Sequence, residues 1–491
     1  MIEANADRAA AESNVEGRDV VIIGAGISGL TTAHFLRRQG IDDVLLIEGA
    51  PQAGGTIQTR DLDGFRFEPG PNSLLDNSPA LKQLINQLGL DERVAVAADA
   101  AKKRYVVRDG YLQPLPMSPA ALLKSKLFSW GTKFRLAREP FVAAAPSDAE
   151  ETLEQFVLRR LGKEFLQYAI DPFVAGTFAG RPEDLCVRSA FRRLWDLEQH
   201  HGSLIRGAMA LAKQRKAAAK AAGSAQGDEG EIQAGPSGKI LSFEGGLQTL
   251  VQALVDPCGE DLRTSLAYLG IRRSHDGYRI TSMDSDGAHE VDARVVLLTL
   301  PAHTYPSLEF GDIDMPLADI GAIPYPPVTA VFFGYNKRPT DQPLDGFGFL
   351  TPRLEKRRIL GTLWNSVAFP DRAPEGGLAM TTYVGGMRQP ENTQWSDEEI
   401  VDVVHEELRD LMGIQLRPDV HAVHRWDQAI PQYVIGHRQL MEKVDAAEVE
   451  APGLFIGGNF RGGVSLGDCV TRGEQVAGQI ATFLCDGNGV L

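Results

Sequence analysis

The chain has 491 residues, a length that predicts two or three domains rather than a single core. Its formal net charge of -15 argues against non-specific binding of nucleic acid, so an anionic ligand would need a locally basic site. A hydrophobic content of 43% is typical of a folded and mostly soluble protein, and no apolar run is long enough to predict a membrane span.

The N-terminal segment 1–17 is acidic, and it lacks both the apolar stretch of a signal peptide and the arginines of a transit peptide. We predict a disordered lead-in and a cytoplasmic protein. The four cysteines lie far apart and form no CxxC pair, which argues against a zinc site or a disulfide framework and fits a reducing compartment. No metal site is predicted.

Three strands and one helix are predicted at the start of the chain. The stretch DVVIIGAGISGLTTAHFLRRQG indicates a strand, a tight glycine turn and a helix that Gly40 ends. DVLLIE follows as a second buried strand, and GFRFEPG alternates as a third. The turn at residues 70–73, GPNS, comes directly after that third strand.

The middle of the chain is predicted to be helical from residue 78 to about residue 211, with an interruption at LQPLPMSPAALL. Residues 212–238 are of low complexity; their start extends a helix, and a mobile excursion follows. Alternating strands then run through ARVVLLTLPAH, and a second strand-rich block covers about 329–386. The last unit is again a strand, a glycine-rich loop and a helix, which indicates a ligand domain assembled from separate segments.

The first glycine turn has the pattern of a dinucleotide-binding site. Gly24, Gly26 and Gly29 form GxGxxG between a strand and a helix, so that a pyrophosphate would lie on the helix N-terminus. Glu48 ends the next strand, where an acidic side chain bonds the adenosine ribose and disfavours the 2′-phosphate of NADP. The alternative is a plain glycine-rich turn between a strand and a helix.

Two further features favour FAD over NAD. APQAGGTIQT adds a second glycine pair close to the first, although Thr56 replaces the arginine of the usual RxGGR segment. The C-terminal glycine-rich loop brings a second helix N-terminus to the cofactor, which suits the negative charge of a reduced flavin.

Motifs along nearly the whole chain, from residue 19 onward, resemble those of the oxygen-dependent, FAD-containing protoporphyrinogen oxidases. They are VIIGAGISGL, GPNS, KRYVV, DPFVAGTFAG, FEGGLQTL, GFGFL, LGTL, AIPQYVIGH and GGNFRGGVSLGD, in the family's order. The resemblance implies that a porphyrinogen loses six hydrogens to become a porphyrin in haem or chlorophyll synthesis, while oxygen becomes hydrogen peroxide. The resemblance does not decide whether the protein forms a homodimer.

The fold implied is α/β, with several domains. A Rossmann-like FAD domain of the p-hydroxybenzoate hydroxylase type is expected from residues 18–90, 239–300 and 440–491. A helical domain that faces a membrane and contributes to substrate binding is expected at 91–211, and a mixed-sheet substrate domain at 301–439.

The resemblance also assigns cofactor residues. The turn at residues 70–73 is expected to lie against the flavin. The complete expected set comprises Gly24, Ala25, Gly26, Ile27, Ser28, Gly29, Glu48, Gly54, Gly55, Thr56, Gly70, Pro71, Asn72, Ser73, Leu266, Asn459, Val464, Ser465 and Leu466.

Two residues are assigned catalytic roles by the resemblance. Arg104 in KKRYVV matches an arginine that binds a propionate of the substrate, and a guanidinium can hold a carboxylate through two hydrogen bonds. Gly176 matches a glycine whose carbonyl faces the pyrrole N–H groups, whereas Ala179 stands where the family commonly has glycine. From the residues alone, Arg104 is an ordinary solvated arginine.

Further residues match those that enclose the macrocycle. Tyr383 occurs where related enzymes often have phenylalanine, and it adds a hydroxyl beside an apolar disc. His437 lies in a family motif, but a lone histidine is more often structural. We call the residues that enclose the macrocycle the wall. Besides Tyr383, the wall comprises four residues that would otherwise be interpreted as strand core: Phe347, Gly348, Leu350 and Leu363.

Residues 118–141 combine leucine, tryptophan and phenylalanine with five basic residues and one acidic residue. This composition is typical of a helix that contacts an anionic bilayer, and the alternative is an amphipathic helix packed on its own domain.

Three other functions remain open. The chain could oxidise coproporphyrinogen, could be an amine oxidase that shares only the cofactor domain, or could carry flavin or tetrapyrrole without catalysis. GPNS and Arg104 favour the protoporphyrinogen type.

Overall fold

The computed structural model describes residues 15–221 and 238–486. The predicted lead-in lies outside the described residues up to position 14, and the predicted excursion does so from 222 to 237. The strands are β1 Glu16–Ile23, β2 Val44–Ile47, β3 Arg60–Leu62, β4 Phe65–Phe67, β5 Leu74–Leu75, β6 Val94–Val96, β7 Lys103–Arg108, β8 Tyr111–Pro114, β9 Ile240–Phe243, β10 Leu262–Arg263, β11 Ala267–Ser274, β12 Gly277–Asp284, β13 Gly287–Leu298, β14 Val328–Tyr335, β15 Gly346–Leu350, β16 Gly361–Leu363, β17 Leu378–Gly385, β18 Val420–Trp426 and β19 Leu454–Ile456.

The helices connect these strands and form one region of their own. They are α1 Ile27–Arg38, α2 Pro79–Gln87, α3 Pro119–Lys124, α4 Trp130–Ala137, α5 Leu153–Arg160, α6 Lys163–Phe165, α7 Asp171–Phe178, α8 Val187–Ala190, α9 Arg192–His201, α10 Leu204–Ala221, α11 Gln248–Val255, α12 Leu317–Gly321, α13 Asn365–Ala368, α14 Asp397–Met412, α15 His437–Glu450 and α16 Leu466–Cys485.

The first sheet is built around parallel strands from distant parts of the chain. Its order is β10-β2-β1-β13-β12-β11, and β19 pairs with β13. Strands β10, β2, β1 and β13 run parallel, as does the β13–β19 pair, whereas β11 and β12 extend the sheet as an antiparallel hairpin. The carboxyl ends of β1, β2, β13 and β19 therefore meet at one edge.

Each face of this sheet is covered by its own hydrophobic core. On one face, α1, α2, α11 and α16 pack around residues such as Leu30, Leu250 and Val476. On the other face, the segment 302–323 and helix α15 pack against β11–β13. Strand β1 starts at Glu16, inside the predicted lead-in, where Glu16 pairs with Val291 of β13, and its carboxylate forms ion pairs with Arg18 and Arg263 at 2.7 Å each.

The second sheet has the order β18-β14-β17-β16-β15-β7-β8. Its strands are antiparallel except for the β15–β7 pair, which is parallel. Helix α14 covers one face, where Phe349, Val331 and Met380 are buried. The β3–β4 hairpin covers part of the opposite face, where Phe65 and Phe67 pack on Phe332.

The prediction of a mostly helical segment from residue 78 to residue 211 is wrong for residues 94–114. This part forms β6, β7 and β8, and β7 and β8 belong to the second sheet. The hairpin turns at Asp109 and Gly110, which have φ of +54° and +79°. An Asp-Gly pair with positive φ is the signal of a tight hairpin turn, and it interrupts any helical periodicity.

The helical region around α5–α10 has a separate core that includes Phe156, Val174 and Trp195. Arg160 and its partners Glu139 and Glu198 are completely buried at its centre, so each charge is paired. No helix among the described residues has the length and apolar character that crossing a membrane requires.

The composition of the segment 118–141 suggested one helix, but the segment does not form one. It forms the short helices α3 and α4, each capped by a serine side chain, and a further turn at 139–141. Leu127 and Phe128 between the two helices are buried and hold the segment against Val106 and Tyr168.

Candidate active site

The glycine turn after β1 shows why each of its glycines is required. Gly24 has φ of +101°, and a Cβ there would lie 2.8 Å from Thr299 Oγ1. A Cβ on Gly29 would lie 2.0 Å from the carbonyl oxygen of Gly24, so α1 can approach the turn closely only at a glycine. A Cβ on Gly26 would meet no atom within 4 Å, and it would enter open space at the N-terminus of α1. This space is the cradle that a pyrophosphate needs.

The second glycine pair lies directly beside this cradle. The Gly54 amide donates to the Ala25 carbonyl at 2.8 Å, and a Cβ on Gly55 would lie 3.5 Å from the Cα of Gly26. The cradle is thus lined by backbone from two segments, together with the first turn of α1 at Ile27 and Ser28.

Glu48 follows β2 at the carboxyl edge of the first sheet. One carboxylate oxygen accepts a hydrogen bond from Ala25 N, and the other accepts one from Ala50 N, both at 2.8 Å. The Leu266 amide donates to the Glu48 carbonyl at 3.0 Å. Glu48 and Leu266 therefore adjoin the cradle, as a contact with the adenosine half of a dinucleotide requires.

The C-terminal glycine loop leads to a second helix N-terminus next to the first. Ser465 caps α16 in a reciprocal pair with Asp468, and Val464 precedes it. A Cβ on Gly473 would lie 2.5 Å from Thr31 Oγ1, so α16 packs tightly along α1. Burial raises the pKa of Cys469 to about 11, although the side chain of Ser28 in α1 hydrogen-bonds its thiol and opposes this shift. Two N-termini side by side favour a ligand with several negative charges.

These residues fit a bound FAD. The open space at Gly26 and the two helix N-termini suit the pyrophosphate and the flavin, and Glu48 suits the ribose. The glycine turn and its helix alone would fit other dinucleotides.

The turn at residues 70–73 lies against the second glycine pair. A Cβ on Gly70 would lie 2.0 Å from the carbonyl oxygen of Thr56, so only glycine permits this contact. Trp426 Nε1 donates to the Pro69 carbonyl at 2.9 Å, which fixes the entry of the turn to the second sheet. Pro71 and Ser73 are half-buried beside it.

A chain of hydrogen bonds joins this turn to the second sheet. Asn72 Nδ2 donates to the Tyr383 hydroxyl at 2.5 Å, and Asn365 Nδ2 donates to Asn72 Oδ1 at 2.5 Å. Thr381 Oγ1 in turn donates to Asn365 Oδ1 at 2.9 Å. Burial raises the pKa of Tyr383, and the nearby Glu68 carboxylate raises it further, so this hydroxyl keeps its proton.

The register of the second sheet brings four of the five predicted wall residues to one face. Gly348 pairs with Leu363, and Leu350 pairs with Gly361, which itself pairs with Tyr383. Directly paired residues of antiparallel strands point to the same side of the sheet. Phe347 lies at an irregularity in β15 and packs against Ala101, Ala368 and Phe369.

Helix α7 packs closely on this face at Gly176. A Cβ on Gly176 would lie 2.3 Å from Leu350 Cδ2. The helix ends at Ala179, which is left-handed with φ of +51°, and the Gly180 amide bonds back to the Val174 carbonyl rather than to that of Gly176. The Gly176 carbonyl thus lies in the last turn, at the negative end of the helix dipole. It is suited to accept a hydrogen bond.

Arg104 lies on the same face, on β7. Val106 pairs with Leu350, and residues two apart in a strand share a face, so Arg104 is on the Leu350 side. Lys103 and Tyr105 are on the other side, where both contact the Asp345 carboxylate. Arg104 is half-buried, and its carbonyl accepts a hydrogen bond from Leu115 N at 2.8 Å.

Glu68 was missed by the sequence analysis, as were Asn365, Thr381 and Tyr433. The Glu68 carboxylate is buried and accepts a hydrogen bond from Leu247 N at 2.6 Å. It lies 3.7 Å from the buried guanidinium of Arg372. Burial raises the pKa of Glu68 to about 7, which Arg372 opposes. Its signal in the sequence is an acidic residue that ends the apolar alternation of GFRFEPG.

His437 is buried at the start of α15, where its ring stacks on Tyr433 with centroids 4.1 Å apart. Burial lowers the pKa of His437 to about 4. His437 therefore contributes to packing, which is the structural role that a lone histidine usually has. All four cysteines are free, and the described residues contain no cluster that could hold a metal ion.

Sequence comparison identifies relatives across almost the whole chain. The profile of the family described as flavin containing amine oxidoreductase matches residues 27–481. The chloroplastic protoporphyrinogen oxidase of Nicotiana tabacum is 33% identical, over 95% of this chain and 86% of the relative. The coproporphyrinogen III oxidase of Bacillus subtilis (strain 168) is 29% identical, over 95% of this chain and 98% of the relative.

Solved structures share the fold. A protein of Exiguobacterium sp. 255-15, assigned as a protoporphyrinogen oxidase, superposes with a TM-score of 0.75 at 23% identity, covering 94% of this chain and 98% of that one. Reduced UDP-galactopyranose mutase superposes with a TM-score of 0.71 at 16% identity, over 95% of this chain and 94% of that one.

Proposed function

The chain belongs to the protoporphyrinogen oxidase family within the flavin-containing amine oxidoreductases, and from this premise we propose that it oxidises protoporphyrinogen IX to protoporphyrin IX with oxygen as acceptor. It is an FAD-dependent oxidoreductase, as predicted. The observation that carries the substrate proposal is the shared face of the second sheet. There an apolar wall, an arginine and a helix-end carbonyl adjoin the turn that contacts the cofactor segment.

Bound FAD supplies the electron chemistry, because it accepts hydride equivalents from the substrate and passes the electrons on. The protein binds and orients the macrocycle and excludes water. Leu350, Leu363 and Gly348 offer an apolar surface for the disc, with Tyr383 on the same face, whereas Phe347 packs against Ala101, Ala368 and Phe369 and is not assigned to this surface. Arg104 is proposed to hold one propionate.

The Gly176 carbonyl is the proposed acceptor for pyrrole N–H groups. Its position at a helix C-terminus adds partial negative charge without a titratable group, so it functions over a wide pH range. Asn72 donates to the Tyr383 hydroxyl, which leaves the hydroxyl proton directed away from Asn72 and able to donate to an acceptor on a ring substituent.

Substrate preference is tested by comparing two porphyrinogens. We expect porphyrin fluorescence to develop faster from protoporphyrinogen than from coproporphyrinogen at equal concentration, because Arg104 is the one cation that we assign to a propionate, and a single such cation suits two propionates better than four. A faster reaction with coproporphyrinogen would contradict this assignment and would favour the activity for which the Bacillus relative is named. Both rates are measured with the same FAD-loaded preparation.

We further propose that the segment 118–141 docks on an anionic membrane surface. Leu123, Trp130, Phe134 and Phe141 are 57%, 72%, 65% and 81% exposed, respectively. Lys124 and Lys126 lie exposed between them, and the only acidic residue of the segment, Glu139, is buried against Arg160. The surface is therefore apolar and basic, which suits the interface of an anionic bilayer and a poorly soluble substrate.

We expect the double variant Trp130→Ala/Phe134→Ala to bind vesicles that contain phosphatidylglycerol at least tenfold more weakly than the wild type, since two aromatic rings no longer enter the interface. The measurement is sedimentation with vesicles. Leu416→Ala is the matched control, because Leu416 is 59% exposed in the loop after α14. Equal vesicle binding by all three proteins would refute a docking role for this segment.

A further inference from the structure

The motif IPQYVIGH, residues 430–437, follows β18 and ends at the first residue of α15, and its residues have no part in the function proposed above. Gln432 in this motif is completely buried. Its Nε2 donates to the carbonyl of Phe178 at 2.7 Å, and Phe178 is the last residue of α7. The backbone amide of Gln432 donates to the Pro324 carbonyl at 2.9 Å, which anchors the motif beside the second sheet.

The next residue, Tyr433, contacts the glycine-rich loop that precedes α16. Its hydroxyl donates to the carbonyl of Asn459 at 2.7 Å and accepts a hydrogen bond from the amide of Gly463 at 2.9 Å. The ring is buried and stacks on His437. One hydroxyl therefore ties together two backbone groups from opposite ends of the same loop.

This loop needs an external restraint. Gly458, Gly462 and Gly463 have φ of +106°, +98° and +130°, and glycines lose much conformational entropy when they are held in one backbone conformation. A second tyrosine supports the same loop, because the Tyr325 hydroxyl donates to Asn459 Oδ1 at 3.4 Å. Both tyrosines therefore converge on Asn459, one of the predicted cofactor residues.

We propose that Tyr433 is a positioning residue that fixes the loop 457–465 against FAD, while Gln432 beside it fixes the end of α7. Two neighbouring residues then set the spacing between the cofactor loop and the carbonyl of Gly176. The part that concerns Gly176 rests on the proposed function, whereas the part that concerns Tyr433 rests on the FAD cofactor alone.

Tyr433→Phe removes one hydroxyl and leaves a partly buried carbonyl, that of Asn459, and a partly buried N–H, that of Gly463, without their partner. We expect the dissociation constant of FAD to rise by about tenfold. We also expect the midpoint potential of the bound flavin to become more negative, because the loop and the α16 N-terminus no longer hold their dipoles toward the reduced form. Both quantities are measured without a porphyrinogen, by cofactor titration and by anaerobic reductive titration.

Tyr305→Phe is the matched control. The Tyr305 ring packs on Phe460 of the same loop, with centroids 5.7 Å apart, and its buried hydroxyl has no hydrogen-bond partner in the structure. It should leave both the FAD affinity and the potential unchanged. Gln432→Leu should leave the potential unchanged and alter KM and kcat for the porphyrinogen.

Equal FAD affinity and potential in Tyr433→Phe and Tyr305→Phe would overturn the proposal. So would a loss of thermal stability in Tyr433→Phe with an unchanged potential, since that pattern indicates packing alone. If Tyr433→Phe does not fold, Tyr325→Phe replaces it. We then expect smaller changes in FAD affinity and midpoint potential, in the same directions. Unchanged values in Tyr325→Phe would overturn the proposal. A failure to oxidise porphyrinogen would not affect these readouts.

Discussion

Gly26→Val is expected to abolish FAD binding while leaving the protein folded, with a dissociation constant raised by more than about a hundredfold. Gly26 has φ of -74° and ψ of -179°, which valine adopts without strain, and no protein atom lies within 4 Å of a Cβ built there. The added side chain therefore occupies the space of the pyrophosphate rather than clashing with the chain. The measurement is flavin absorbance after gel filtration, with titration of added FAD.

The neighbouring glycines show why Gly26 is the informative choice. A side chain on Gly29 would meet the Gly24 carbonyl at 2.0 Å, so a loss of FAD in that variant would not distinguish misfolding from a blocked cradle. Gly478→Val is the control, because a Cβ there also meets nothing within 4 Å but lies far along α16. Gly26→Val protein that purified with bound FAD would contradict the site described above.

Arg104→Ala is expected to raise KM by about ten- to a hundredfold, with a smaller change in kcat. A charge-assisted pair that is partly open to water contributes about 1.5–3 kcal/mol, and the overall charge of -15 repels a dianionic substrate. Arg104→Lys should restore part of this effect, since an ammonium retains the charge but not the paired hydrogen bonds. Added salt should narrow the difference from the wild type.

Two controls separate substrate binding from folding in this experiment. Lys103→Ala removes the adjacent cation, which lies on the opposite side of β7 and pairs with Asp345, and it should leave KM unchanged. A porphyrinogen with esterified propionates should be nearly insensitive to Arg104→Ala. Equal impairment of the esterified and the free-acid substrate would show that Arg104 supports the fold instead.

The cofactor half of the molecule could be predicted because its signals are local. The turn at Gly24, Gly26 and Gly29, the strand that ends at Glu48 and the capped start of α16 each lie within one short stretch of sequence. Strand, turn and helix have different periodicities, so their order is readable without knowing the tertiary structure.

The link between the two halves could not be predicted, because it depends on side chains that only the tertiary fold brings together. Asn72 and Tyr383 are 311 residues apart, and Tyr433 and Asn459 come from different segments. Polar residues such as Asn365 and Thr381 have no distinctive spacing. The β7–β8 hairpin was missed for another reason, since the Asp109–Gly110 signal occurs inside a region read as helical.

We propose above that the flavin of this protein oxidises a porphyrinogen. The most direct test is anaerobic mixing of FAD-loaded protein with protoporphyrinogen, followed by admission of air. We expect the absorption of the oxidised flavin to disappear before oxygen enters, and to return afterwards while porphyrin fluorescence develops, because removal of six hydrogens needs more than one turnover of the flavin. Flavin absorption that persists with protoporphyrinogen and with coproporphyrinogen, but disappears with an amine, would show that the flavin oxidises amines and not porphyrinogens.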